Sequence, residues 1–354
     1  MIIVNYGKDI IKNTYDALAA SDIASYLEAD DATAIKPNLV NSRPADEGST
    51  THPEVVEGII RFLNDFGVKK IKIIESSQVG TDTKNSYKRC GYDALARKYQ
   101  VPLIDLKSDT FTALNSAGYD IKVYNEALNT DFLINVPVLK AHCQTSLTCC
   151  MKNLKGCIPD SEKQRFHSLG IHKPVAAVNA MIKTGYCVVD GICGDLSFEE
   201  GGNPVVSDRI IAGRDPLLID SFCAELIGYQ PDEIGYLAYG KKLGIGEYFS
   251  EDTEVIELNT QNKPAYEAKS GRSADRYKKY INEDAACSAC YSSLIYALHR
   301  LGGRPDMDGK ISIGQGFRGK SGSGFGVGNC TRGFARCVAG CPPKAVDIIA
   351  ELKT

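Results

Sequence analysis

Residues 32–75 read ATAIKPNLVNSRPADEGSTTHPEVVEGIIRFLNDFGVKKIKIIE, and this stretch decides the fold class. Ala32–Ile35 is a short apolar, strand-forming run that leads into Lys36-Pro37-Asn38. Thr51-His52-Pro53 then opens a helix. Thr51 is a candidate cap, Pro53 suits a first turn, and Val55, Val56, Ile59, Ile60 and Leu63 recur at helical spacing. Gly67 stops that helix, and Lys70–Glu75 (KIKIIE) returns as a strand. Strand, helix and strand in this order form the repeating unit of a parallel sheet.

The alternation continues outward. The pattern predicts a helix over Asn85–Tyr99, a strand at Val101–Leu106 and another at Phe132–Leu139. It then predicts a buried strand over Gly185–Asp190, a strand at Arg209–Ala212 and an apolar helix over Pro216–Ile227. The expected fold is α/β, with a large domain built on a mostly parallel sheet. Ligands of such sheets gather beyond the carboxyl ends of the strands. Lys36, Glu75, Lys140 and Asp190 all stand at predicted strand ends.

A chain of 354 residues has room for a large domain and a second, smaller one. Residues 1–261 read as the α/β domain, 262–284 as a polar linker or exposed helical connection, and 285–354 as a small cysteine- and glycine-rich domain. The net charge of -3 comes without a basic stripe, which argues against nucleic acid as a partner. No apolar run reaches the length of about 18 residues that a membrane span needs. The first residues turn charged before an apolar signal core forms, so a cytoplasmic location is expected.

Thirteen cysteines, an odd number with no secretion signal, point to metal or redox chemistry rather than disulfides. Cys287-Ser-Ala-Cys290 opens an amphipathic helix over Tyr291–Leu301, where free N–H groups and the helix dipole favour thiolates. Cys330, Cys337 and Cys341 follow, the last in Cys341-Pro342-Pro343. Cysteine followed by proline closes ferredoxin-type runs, and four thiolates hold a [4Fe–4S] cluster. Five cysteines compete for the four places: the CxxC pair and Cys341 supply three, and Cys330 or Cys337 the fourth. A structural zinc site is the alternative, since two cysteine pairs bind zinc as well.

Gly314-Gln-Gly-Phe-Arg-Gly319-Lys320-Ser321 matches a phosphate-loop pattern. That motif needs a helix directly after it, and the sequence continues with alternating glycines instead. The loop reads as a wrapping whose backbone N–H groups face the cluster's sulfurs.

A second concentration of chemistry lies between Val138 and Gly156. Lys140 and His142 follow a strand end, and Lys152, Asn153 and Lys155 close a short helix stopped by Gly156. His167 and His172 come later. Lysines in this pattern suit a carboxylate or phosphate, and His142 or His167 a proton transfer. The plainer reading is that Lys152 and Lys155 complement a helix terminus and the histidines are loop residues. Cys149, Cys150 and Cys157 lack CxxC spacing and read as small buried residues.

On these residues the chain resembles the family known as domain of unknown function 362, described as iron–sulfur-centre proteins. The likeness rests on Lys36-Pro-Asn38, Thr51-His-Pro53, Glu75-Ser76, Val136-Pro-Val-Leu-Lys140-Ala-His142 and Met151-Lys-Asn-Leu-Lys-Gly156. Asp190-Gly191, Gly213-Arg-Asp215 with Asp220, and the tail from Cys287 to Pro343 complete it. The resemblance implies Cys287, Cys290, Cys330 and Cys341 as cluster ligands, with Cys337 outside the set, and it names no substrate.

The resulting expectation is an oxidoreductase carrying a [4Fe–4S] cluster. His142, Lys140, Lys152 and His167 are its candidate catalytic residues. Lys36, Asn38, Glu75, Asn153, Lys155 and Asp190 are its candidate binding residues for an anionic small molecule or cofactor. A redox partner, ferredoxin or flavoprotein, would accompany it. The alternatives are a ferredoxin-like electron carrier and a non-redox isomerase or lyase with a structural cluster.

Overall fold

The computed structural model describes residues 1–198, 201–264, 274–303 and 309–353. Its centre is an eight-stranded sheet. In spatial order the strands are Val255–Leu258, Ile2–Tyr6, Pro204–Gly213, Tyr186–Asp195, Phe132–Val136, Ala32–Pro37, Lys70–Glu75 and Leu103–Asp105. All neighbours run parallel except at Pro204–Gly213, which is antiparallel to both of its partners. The sheet is therefore mostly parallel, as the alternation predicts.

Both faces are covered, and the strand period of two divides the residues between them. Ile2, Val4, Ile74, Leu133 and Ile211 face one apolar core; Ile3, Ile35, Ile73, Ile134 and Ile210 face the other. The helix Pro53–Phe66 packs Val55, Val56, Ile59, Ile60 and Leu63 into the second core, so its predicted stripe is its buried face.

Two expectations are corrected. The helix predicted over 85–99 is two helices, Thr83–Arg89 and Tyr92–Tyr99, because Gly91 takes φ +84°, which breaks the run. The strand predicted to end at Asp190 runs on to Asp195 through a bulge after Gly191, because Pro204–Gly213 pairs along its whole length.

A second sheet of four parallel strands holds Ile281–Glu283, Ile311–Ile313, Gly322–Val327 and Phe334–Val338. The helices Ser288–Arg300 and Ala345–Leu352 belong to the same core, with Leu294, Leu298, Phe325, Ile348 and Leu352 inside it. This sheet begins ahead of the expected boundary at residue 285. Part of the expected linker, residues 265–273, lies outside the described residues. Cys143 and Phe198 of the large unit pack into the small core, so the two units share a seam.

Candidate functional site

Three parallel strands place the floor of the site. Lys36 lies beside Asn135, and Glu75 beside Asp105, at neighbouring carboxyl ends. Lys36 is fully buried, and its Nζ pairs with Glu75 Oε2 at 3.0 Å. It also donates to Pro37 O at 2.9 Å and Asn153 Oδ1 at 3.3 Å. Glu75 Oε2 accepts from Leu39 N, and its Oε1 from Ser76 N at 2.7 Å. A buried ion pair persists only when its remaining hydrogen-bond capacity is met in this way.

Asn153 ties this pair to the next layer, donating to Asn135 Oδ1 at 2.8 Å. It sits on the short helix Cys150–Asn153, whose first N–H groups are capped by Asp220: Cys150 N at 2.6 Å and Met151 N at 3.0 Å. Gly156 then passes directly over the pair. A Cβ there would stand 2.2 Å from Glu75 Oε1 and 2.5 Å from Lys36 Nζ, so only glycine fits. The short helix ends at Asn153, and Gly156 lies in the tight turn Leu154–Cys157 that follows, so the glycine expected to stop the helix serves instead as the lid on the Lys36–Glu75 pair.

Above this floor is a cavity of about 150 Å³. Lys36, Asn38, Glu75, Lys140, His142, Lys152, Asn153, Lys155 and His167 line it, together with Cys287, Cys290 and Cys341. Most of the sequence-predicted polar residues and three of the predicted cluster cysteines thus line one cavity. Asp190 does not line the cavity. It is buried, and its Oδ2 accepts from His52 N at 2.7 Å and faces His52 Nδ1 at 2.8 Å. Its place inside a continuing strand, rather than at a strand end, puts it to structural use. His172 also lies elsewhere, its ring stacked 6.4 Å from that of Tyr236.

The two cavity histidines differ in role. His142 Nδ1 accepts from the backbone N–H groups of Gln144 and Thr145 at 3.1 and 3.2 Å, which assigns its proton to Nε2. His167 is half-buried. Burial, with Lys155, His142 and Lys152 adding to it, pushes its proton affinity well below the ordinary range, so the ring is neutral at physiological pH. Lys140 donates to Ser49 O at 2.8 Å, and Lys152 to Thr148 Oγ1 at 3.2 Å.

Sequence reading missed Lys163, which also lines the cavity. Its Nζ donates to Ser76 O, Ser76 Oγ and Ser77 O and pairs with Asp160. Burial, against the opposing charge of Asp160, brings it down to about 8. The one sequence signal for it, an acid three residues earlier on a helix, looks like any solvated surface pair.

On the far wall, Cys287 stands at the N-terminus of the helix Ser288–Arg300, with Cys290 in its first turn. Burial and the proximity of Cys341 and Cys330 push the Cys287 thiol up. Arg318 Nε lies 3.4 Å from Cys330 Sγ, and Gln315 Nε2 lies 3.6 Å from Cys287 Sγ. Asn329 N donates to Gly340 O and Gly340 N donates to Asn329 Oδ1, both at 2.9 Å, which ties the Cys330 turn to the Cys341 turn. Gly328, at φ +94°, passes so close that a Cβ there would be 3.9 Å from Cys290 Sγ. Cys337 instead points its sulfur at Gly328 O and Thr331 Oγ1, at 3.6 and 3.5 Å.

Among the described residues, the one set of three ligand atoms lying within 4.8 Å of one another is Cys149, Cys150 and Asp220. All three are buried in the large unit's core, and Asp220 already caps the short helix. Burial and the adjoining Cys149 also push the Asp220 carboxyl well up. This group therefore reads as packing and capping.

His52 yields a pH prediction. Burial opposes its charge, yet Asp190 more than offsets this and raises it from 6.5 to about 9. The pair's stabilisation should be full below pH 6.5 and lost as pH rises through 9. The loss amounts to about 3 kcal/mol at most. Urea unfolding from pH 6 to 10 checks this. Equal slopes for the wild type and His52→Asn would remove the pair from the account.

Residues 33–225 match the family model described as Domain of unknown function (DUF362), and the chain belongs to that family. The match stops short of the C-terminal cysteines. A thylakoid-associated protein of Synechocystis sp. is 22% identical over 238 residues, covering 65% of this chain and 74% of that protein. Two solved structures are loosely similar. The lactate racemase apoprotein from Thermoanaerobacterium thermosaccharolyticum has a TM-score of 0.41 at 13% identity, over 64% of this chain and 57% of that one. A protein from Thermotoga maritima has a TM-score of 0.41 at 14% identity, over 67% and 60%. The chain thus spans less than two thirds of either structure. Among the described residues, no helix is long and apolar enough to cross a membrane.

Proposed function

We propose that this is a cytoplasmic iron–sulfur oxidoreductase that holds an anionic small molecule in the cavity between its two units. The observation that carries the reading is the shared cavity: Cys287, Cys290 and Cys341 line the same 150 Å³ space as Lys36, Lys140, Lys152, Lys155, His142 and His167. The ligand set is Cys287, Cys290, Cys330 and Cys341, brought together from three segments of chain.

The Cys341-Pro342 ending favours a cluster over zinc, because a cysteine followed by proline closes ferredoxin-type cluster runs. A bound [4Fe–4S] cluster would supply one-electron chemistry at this wall. The guanidinium of Arg318 works against the upward push that burial and the neighbouring cysteines give the Cys287 thiol. Lys152 and Lys155 hold the anion, neutral His167 accepts a proton or His142 Nε2 donates one, and the Lys36–Glu75 pair fixes the floor. All thirteen cysteines are free thiols, in keeping with a reducing compartment. A pure carrier is the weaker reading, since it has no use for a cation-lined cavity.

Lys152→Ala tests the anion site. A hydrogen bond to a charged group is worth roughly 1.5–3 kcal/mol, so binding of oxalate or inorganic phosphate should weaken about 10–100-fold by calorimetry. Iron content should not change. A wild type that binds neither probe, or a variant that binds both as well, would return Lys152 to helix-terminus duty.

A further inference from the structure

The chain's charge is unevenly spread. Residues 309–353 carry seven lysines and arginines against two acids, a net of +5 within a chain of -3. The excess is gathered around the exposed side of the cysteine site. Arg318 touches Cys330, Arg332 lies two residues beyond Cys330, and Lys344 lies three beyond Cys341. Lys320 joins them, because its carbonyl would sit 2.4 Å from a Cβ on Gly333. All four side chains are exposed. Acids offset part of this charge: Glu351 pairs with Arg336, and Asp284 pairs with Lys320 at 3.7 Å.

Close in the chain to these cations, Cys341, Pro342 and Val346 are exposed, Val346 by 65%. A small apolar centre inside a charged rim is the anatomy of a transient protein–protein contact. Cys341 is also part of the cavity wall, so one residue faces both the basic surface and the anion site.

We propose that this face docks an acidic electron-carrier protein, an inference that rests on the iron–sulfur reading above. A bound cluster would let one electron pass per encounter, the carrier oxidised by one electron and the cluster reduced by one, with no bond or proton transferred. An anionic membrane is the less suitable occupant. The helix Ala345–Leu352 turns Ile348 and Leu352 into the core, leaving Val346 without the further large apolar residues that membrane insertion needs.

The test uses the full chain, purified anaerobically, with iron content and reduction by dithionite measured first. An acidic [2Fe–2S] ferredoxin is the probe, with binding read by calorimetry and electron transfer by stopped flow. Binding should weaken about tenfold as salt rises from about 50 to about 300 mM, because the Debye length shrinks. Arg332→Glu with Lys344→Glu should weaken it at least about tenfold, whereas Lys69→Glu, an exposed charge elsewhere, should not. Dithionite should reduce every variant equally. The docking face is overturned if the double variant binds like the wild type, or if Lys69→Glu weakens binding as much. It is equally overturned if phosphatidylglycerol vesicles capture the protein through this face while ferredoxin does not bind. Absence of iron and of a dithionite response would instead overturn the cluster reading.

Discussion

Cys287→Ser should leave the protein with little of the iron it otherwise carries, about four atoms per chain for one [4Fe–4S] cluster. The expectation follows from position. Cys287 stands at the helix N-terminus, against the Cys330 and Cys341 thiols and beside the cavity. A serine hydroxyl there is neither a thiolate nor soft enough to replace one. Cys330→Ser should have the same effect, and Cys337→Ser should not, because the Cys337 sulfur is turned to Gly328 O and Thr331 Oγ1. Iron analysis and visible absorption of anaerobic protein decide it. If Cys337→Ser bleaches the protein and Cys330→Ser does not, the fourth ligand is misassigned. A colourless wild type holding one zinc would end the cluster reading altogether.

The parts of this site that were legible in the sequence were those fixed by local pattern. Lys36 and Glu75 end two β-rich runs flanking one helix, so strand periodicity alone places them at neighbouring carboxyl ends. The Met151–Gly156 stretch stands out by its two lysines and Asn153, but Gly156 reads only as a helix stop until the Lys36–Glu75 pair is seen beneath it. What escaped depended on distant partners. Asp190 looks like a strand end until Pro204–Gly213 pairs past it, and no residue near Asp190 encodes that pairing. Lys163 is an ordinary helix lysine until Ser76 and Ser77, far back in the chain, close over its ammonium. The meeting of Cys287 and Cys341 with Lys36 and Lys152 is likewise a property of the seam between the units, where Cys143 and Phe198 enter the smaller core.

Glu75→Gln should be a costly change in the large unit, conservative as it is. Glu75 accepts from three donors at once: Lys36 Nζ, Leu39 N and Ser76 N. A glutamine has one acceptor oxygen, so its amide N–H₂ must face either Ser76 N or the Lys36 ammonium together with Leu39 N. Gly156 presses on Oε1 from above and leaves the side chain no room to turn away. Lys36, fully buried, would keep its charge without its counterion. Removing one partner of a buried pair costs about 3–5 kcal/mol, a large share of the stability of an ordinary domain. Urea midpoints should therefore fall sharply in Glu75→Gln. Adding Lys36→Met should recover part of the loss, since the uncompensated charge then disappears and the two changes act on one interaction. A Glu75→Gln protein within about 1 kcal/mol of the wild type would mean that the pair contributes little, as exposed pairs do. The floor of the cavity would then have to be held by Asn153 and Asn135 alone.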